Sequence, residues 1–299
     1  MTMTLPGTRI GVVGAGRVGA VLSAALRAAG HEVVAAAGES AATLTRVETL
    51  LPGVPVRKPS AVARSCDLLL LTVPDDMLSN VVSMLAASGA IREGQYVAHT
   101  SGRHGLAVLE PARLRGAHVL ALHPAMTFTG TTLDLPRLPG CAYGVTAVED
   151  VSIALAETLV SDLRGRLVWV PEDKRTLYHA GLAHGANHLV TLVSQAMELL
   201  RESGAADPAA TLRPLLTAAL DNALTMGTAA LTGPIVRGDV ETVRAHLRDI
   251  SLHQPETLPS YVALARSTVN TAVLDGQLLP IRAVKLVGIL NDALEKVTA

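Results

Sequence analysis

Two short stretches of this sequence place proton-carrying side chains directly after apolar runs: His99-Thr-Ser-Gly102 and His123-Pro124. A third stretch sets Lys174, Tyr178, His179, His184, Asn187 and His188 into an otherwise Ala/Leu/Val-rich segment. Imidazole titrates near neutral pH and can give or take a proton, while hydroxyls such as Thr100 and Ser101 can hold a carboxylate. A single histidine is more often structural, bonded to backbone. The gathering of several at the ends of neighbouring strands is what points to a site. On a helix, His179 and Asn187 stand two turns apart and about 80° apart, on one broad face. His184 and His188 have i, i+4 spacing, but no HExxH pattern and no third ligand accompany them, so no metal is expected.

The chain's clearest motif is Gly14-Ala15-Gly16-Arg17-Val18-Gly19, which follows the apolar strand Arg9 to Val13 and opens a helix that runs to Gly30. Here Gly14 permits a tight turn, Gly16 lets a pyrophosphate approach the backbone, and Gly19 lets the helix pack on the strand. Helix N–H groups then face the phosphates. This is a dinucleotide-binding pattern. Cofactor choice is read about 20 residues further on, at Ala37-Gly38-Glu39-Ser40. Glu39 suits a free ribose hydroxyl and hence NAD, whereas Ser40 with Arg46 suits a 2′-phosphate and hence NADP, so both stay open on these residues. Val73, Pro74 and Asp75, at the end of another strand, would border the cofactor ribose together with Thr100. An Asp in that position also serves as a helix N-cap.

These side chains need a scaffold that brings strand ends together. Arg9 to about Pro171 alternates short apolar runs with helical stretches, the pattern of βαβ units. Strands are expected near 9–13, 32–37, 54–56, 68–73, 95–100, 117–122, 141–147 and 166–170. After Pro171 the strand signal ends, and long helices are expected near 173–203, 208–230, 239–250, 256–275 and 280–297. The predicted fold is therefore α/β, a doubly wound parallel sheet of Rossmann type at 1–171, followed by an all-α domain at 172–299. The turn Leu231 to Asp239 between two helices offers Thr232 and Arg237 to a cleft or a second subunit.

Composition sets the remaining bounds. With 49% hydrophobic but only 2% aromatic residues, the core must be built from Ala, Val and Leu. Lys plus Arg (25) nearly cancels Asp plus Glu (26), without a basic run interleaved with aromatics, so neither nucleic acid nor a membrane surface is expected as partner. Cys66 and Cys141 give no disulfide framework or zinc spacing. Met1 to Thr8 lack the pattern of a signal peptide, and no apolar run reaches the ~20 residues that span a bilayer, so a cytoplasmic protein is expected.

The chain resembles a group within the 6-phosphogluconate dehydrogenase-like superfamily, bacterial proteins with a Rossmann-like domain and a C-terminal helical domain of unknown function. The resemblance covers essentially the whole chain. It is carried by Gly14 to Gly19, Val73-Pro-Asp-Asp76, His99-Thr-Ser-Gly102, His123-Pro124, Tyr178-His179 with Asn187, and Thr232-Gly-Pro-Ile-Val-Arg-Gly-Asp239. It implies an NADP-dependent reductase of a small oxo compound. Members are assigned as an alternative class of ketopantoate reductase in pantothenate biosynthesis, or named after F420-dependent NADP oxidoreductases.

The wider superfamily commonly places a catalytic Lys four residues before a substrate-binding Asn, but here Ala183 precedes Asn187. His179, or Lys174 folding back from the helix start, must substitute, and His179 is preferred. The expected roles are then proton donation by His179, carbonyl orientation by Asn187, and a substrate pocket shaped by Thr100, Ser101, His123 and Thr232. Two other readings stand beside this one: an imine reductase of the pyrroline-carboxylate kind, and a non-catalytic dinucleotide sensor. Helical domains of the superfamily commonly pair, so a homodimer is expected.

Overall fold

The computed structural model describes residues 7–298, so most of the Met1 to Thr8 stretch lies outside the described residues. The chain divides into two compact units, Met1–Gly185 and Ala186–Ala299. The first extends beyond the 171–172 boundary read from the loss of strand signal, because it takes in the helix that carries Arg175, Tyr178 and His179.

In the first unit the order is β1 (Arg9–Val13), α1 (Arg17–Ala28), β2 (Glu32–Ala37), α2 (Ala41–Leu50), α3 (Pro59–Ser65), β3 (Leu68–Leu71), α4 (Asp75–Ala87), β4 (Tyr96–His99), α5 (Glu110–Arg113), β5 (His118–Pro124), β6 (Ala142–Thr146), α6 (Asp150–Asp162), β7 (Arg166–Trp169) and α7 (Arg175–Leu182). The seven strands form one sheet in the order β2-β1-β3-β4-β5-β6-β7. The leucines Leu68–Leu71 of β3 are all buried, as expected of a central strand covered on both faces. One core packs α1 and α6 over the sheet, with Leu22, Leu26, Leu155 and Leu159. The other packs α3 and α4, with Val62, Leu78, Val82 and Leu85.

Two details differ from the sequence reading. Residues 54–56 form no strand, only a bridge between Ala36 and Val56. The sheet is also not wholly parallel, since β6 runs antiparallel to β5. A parallel return needs a crossover of a dozen or more residues, usually helical. Between β5 and β6 the only helical piece is a short 3₁₀ turn, Thr132–Arg137, and an antiparallel return results. The helix α6 then supplies the crossover that makes β6 and β7 parallel.

Strand order reverses between β1 and β3, the switch point where open α/β sheets leave a crevice at the carboxyl ends of their strands. The strands β1, β3, β4 and β5 end there in Gly14, Thr72, Thr100 and Pro124.

The second unit holds α8 (His188–Glu202), α9 (Pro208–Met226), α10 (Val240–His253), α11 (Leu258–Leu274) and α12 (Pro280–Thr298). Its core joins the last three through Val243, Leu247, Ile250, Val262, Val269, Leu286 and Leu290. The helix α8 has no buried residue and α9 only Pro208. No helix among the described residues is long and apolar enough to cross a membrane.

Candidate functional site

The turn after β1 is shaped by close approach. Gly14 has φ +89, and a Cβ there would lie 2.7 Å from the Val73 amide nitrogen. A Cβ on Gly19 would lie 2.2 Å from Thr72 Oγ1 and 2.8 Å from the Gly14 carbonyl oxygen. Thr72 Oγ1 donates to that carbonyl at 2.6 Å, and the Gly14 and Ala15 amides both donate to Ala37 O at 3.0 Å. The loops after β1 and β3 are thus locked together. Gly16 is different, for a Cβ there would meet nothing nearer than Gly14 O at 3.8 Å. Gly16 is the N-cap of α1, without a side-chain cap and without an acidic residue in the first turn. The positive end of this 12-residue helix is therefore left without a side-chain cap, which fits a pyrophosphate.

At the end of β2, Ser40 caps α2, its Oγ accepting from the Thr43 amide at 3.2 Å. Glu39 is exposed. The loop after β5 packs a glycine between the two cations of this corner, Arg17 of α1 and Arg46 of α2. Buried Asp134 accepts from the Gly130 amide at 2.7 Å and from Thr129 Oγ1 at 2.9 Å. Gly130 is thereby held so that a Cβ would lie 2.8 Å from both Arg17 Cγ and Arg46 Nε. Arg17 and Arg46 thus both come up against Gly130, two cations on one loop glycine, a donor pair suited to a phosphate monoester.

A compact acid–base cluster stands at the ends of β4, β5 and β6. His99 is fully buried, accepts the Ser101 amide on Nδ1 at 3.1 Å and donates from Nε2 to Gly105 O at 2.8 Å. Burial drives its pKa down to about 4, so it is a neutral strut for the loop that follows. Ser101 is buried, and its Oγ accepts from the His104 amide at 3.2 Å. The Thr100 amide donates to Leu71 O at 3.1 Å, placing Thr100 half-buried at the crevice.

His123 Nδ1 lies 3.1 Å from Tyr178 Oη. The His123 ring meets Tyr178 and His179 edge to face, with centroids 5.6 and 5.7 Å away. Burial, then the charge of Arg175 and the nearness of His179, bring His123 down to about 4. Burial raises Tyr178, partly opposed by Arg175.

Two glycines let α7 dock. A Cβ on Gly102 would lie 2.4 Å from His179 Cδ2, and one on Gly144 would lie 2.5 Å from Tyr178 Oη. Gly102 belongs to the His99-Thr-Ser-Gly102 motif, but neither Gly144 nor Arg175 stood out in the sequence. Lys174 does not fold back; it is exposed and pairs with Asp173 at 3.0 Å. The cation that enters is its neighbour Arg175, 1% exposed. Arg175 Nη1 donates to Gly144 O at 3.0 Å and to Thr146 Oγ1 at 3.4 Å, and Nη2 donates to Ser101 O at 2.5 Å. It forms no ion pair among the described residues, and its Nε has no partner there.

Glu172 was also missed. Its carboxylate accepts the Leu106 and Ala107 amides at 2.7 and 3.1 Å, pinning the loop after β4. Asp75 stands at the first position of α4, with Pro74 as N-cap, and faces Arg103 at 3.4 Å. Asn187 and Thr232 belong to the second unit. Asn187 ends a π-helical turn, Ala183–Asn187, and Thr232 lies in the turn before α10, both exposed.

Known proteins locate this arrangement. Residues 2–124 match the family model of a Rossmann-like domain, and residues 141–268 match DUF2520, a domain of unknown function. A Rossmann-like match is thus followed along the chain by a DUF2520 match. The DUF2520 match begins inside the sheet and includes Gly144, Arg175, Tyr178 and His179. No curated protein matches the sequence.

Among solved structures, a Bacteroides fragilis protein provisionally assigned as an NADP oxidoreductase superposes with TM-score 0.76 at 20% identity, over 88% of this chain and 98% of that one. An imine reductase from Myxococcus stipitatus in complex with NADP+ gives 0.63 at 15%, over 88% and 94%. A pyrroline-5-carboxylate reductase from Coxiella burnetii gives 0.55 at 17%, over 96% and 98%. At these identities the likeness is one of fold.

Proposed function

We propose that this Rossmann-like DUF2520 protein is an NADP(H)-dependent oxidoreductase that reduces the carbonyl of a small 2-oxo acid, with ketopantoate as the substrate to try first. The carrying observation is that one sheet edge bears both an open glycine cradle and a cluster of His123, Tyr178 and His179. NADP is favoured over NAD by the two arginines, Arg17 and Arg46, that meet at Gly130, while Glu39 stays in solvent. The names of the structural neighbours point the same way: one is named as an NADP oxidoreductase and another is an imine reductase in complex with NADP+.

Bound NADPH would supply the hydride. The chain's residues would do the rest: the Gly14–Gly19 turn and the start of α1 bind the pyrophosphate, Val73, Pro74 and Thr100 border the ribose, and His179 gives the proton that turns the nascent alkoxide into an alcohol. Ser101 and His123 are assigned to the substrate pocket. We assign the protein as a homodimer, since α8 and α9 leave Val190, Leu215 and Leu224 between 65 and 79% exposed.

Reduction of a C=N bond is the second reading, favoured by Ala183 in the position four before Asn187, where the superfamily commonly has its lysine acid. An iminium already carries the proton that a ketone must be given. The deciding experiment follows NADPH and NADH oxidation by absorbance with ketopantoate and a cyclic imine, using wild type and His179→Ala. Ketopantoate turnover that collapses in the variant supports the first reading. Imine turnover that survives in it supports the second, and nucleotide binding without turnover on any substrate overturns both.

A further inference from the structure

Arg175, Tyr178 and His123 form a chain of contacts that the assignment above leaves without a chemical role. Arg175 is a cation enclosed by backbone carbonyls, its Cζ 5.8 Å from the Tyr178 ring centroid. The Tyr178 hydroxyl in turn meets His123 Nδ1 at 3.1 Å. A phenol is a far stronger acid than a neutral imidazole N–H, and an imidazole nitrogen accepts better than a phenol oxygen, so Tyr178 donates. Nδ1 is then without a proton, and the single imidazole proton sits on Nε2. That nitrogen lies 3.0 Å from where a Gly102 Cβ would stand, at the same spot where His179 closes in.

We propose that His123 is a catalytic residue, a neutral imidazole that Tyr178 fixes in the Nε2–H tautomer and that donates a hydrogen bond, without transferring its proton, to the oxygen or nitrogen of the bond being reduced. Tyr178 and Arg175 are positioning residues behind it. This deepens the reductase reading and rests on it.

The groups facing His123 are Arg175, Tyr178 and His179 from α7, His99 from β4 and Asp75 from the start of α4. Of the charges, the Arg175 cation and protonation of His179 or His99 oppose a second proton on His123, and only Asp75 favours it. Burial opposes it as well. The donor therefore keeps its form across the neutral range and polarises the substrate without being consumed. In the balanced step, hydride from the reduced nicotinamide adds to carbon, the C=O π pair moves to oxygen, and a proton from His179 completes the alcohol. His123 ends as it began.

The test uses the ¹⁵N-labelled full chain and long-range ¹H–¹⁵N imidazole spectra, with the His123 signals assigned through His123→Gln. The expected wild-type state is neutral Nε2–H down to about pH 5. Tyr178→Phe keeps the ring and should release a mixture of tautomers and cut kcat roughly 10- to 100-fold, with KM for the cofactor unchanged. Arg175→Met should move the His123 titration up toward neutrality and add an acid limb to the pH–rate profile; where that variant fails to fold, Tyr178→Phe carries the test. A wild-type His123 that titrates ordinarily or rests as Nδ1–H overturns the proposal, as does an unchanged tautomer in Tyr178→Phe. The expected spectra without turnover of any oxo acid or imine would overturn the reductase reading and the catalytic role with it, a failure distinguishable because the spectra need no substrate.

Discussion

Gly16 and Gly19 belong to one motif but do different work, and substitution separates them. A Cβ at Gly19 would collide with Thr72 Oγ1 and with the Gly14 carbonyl, so Gly19→Ala should cost about 1–3 kcal/mol of stability and show as a lowered Tm. Gly16 has room for a methyl group, its nearest neighbour being the Gly14 carbonyl oxygen at 3.8 Å. Gly16→Ala should therefore keep its Tm and lose at least tenfold in NADPH affinity by fluorescence titration; undiminished affinity would remove the pyrophosphate from this turn. The buried histidines make a second prediction at this scale. Burial holds His99 and His123 near 4, from an ordinary 6.5. As pH falls, the unfolded chain takes up these protons first and the folded chain only near 4. Stability is thus unaffected above 6.5 and falls through the window between 6.5 and 4, by up to about 1.4 kcal/mol per pH unit for each group. Urea midpoints at pH 7.5, 6 and 5 read this directly, and a midpoint that stays level would contradict it.

The elements that matter most for the cluster are α7 and the loop between β4 and α5, which hold each other. Glu172, just ahead of α7, accepts two amides of that loop across 66 and 65 residues of sequence, and charge-assisted bonds of this kind are roughly twice as strong as neutral ones. Glu172→Ala should speed hydrogen exchange at Leu106 and Ala107 tenfold or more, while exchange in β1 and β3 stays as in wild type. Much of this level was legible in the sequence: the glycine turn, the strands that end at the crevice, and the histidines gathered there. What was not legible turns on phase and distance. Lys174 and Arg175 are adjacent basic residues separated by about 100° of helical rotation, and only the packing of α7 on β6 decides which one enters. Gly144 is unremarkable until a helix far along the chain comes within a methyl's reach of it, and nothing in the His99-Thr-Ser-Gly102 motif says that its glycine makes room for the same helix. Strand direction leaves no trace in an apolar run, so the antiparallel β6 had to come from the missing crossover helix. Residues 54–56 are too short an apolar run to earn more than a bridge.

At the scale of the whole molecule, the two units are unequal in how well each covers its own helices. The first buries both faces of its sheet, whereas α8 and α9 of the second expose Leu189, Val190, Leu192, Leu215, Leu220 and Leu224 at 39 to 79%. Large apolar side chains exposed in this number on two helices point to an interface, and a closed pair of identical chains covers such a surface most economically. The expected solution mass is therefore twice the 31.0 kDa of one chain, by light scattering coupled to size exclusion. Leu224→Glu, placed on the most exposed of these leucines, should shift that mass toward one chain at micromolar concentration, because two unpaired carboxylates would be driven into an apolar contact. The same change on Leu114, 72% exposed in the first unit, should leave the mass where it was. A wild type that elutes as a single chain at every concentration would end the dimer assignment, and the apolar faces of α8 and α9 would then need a different partner.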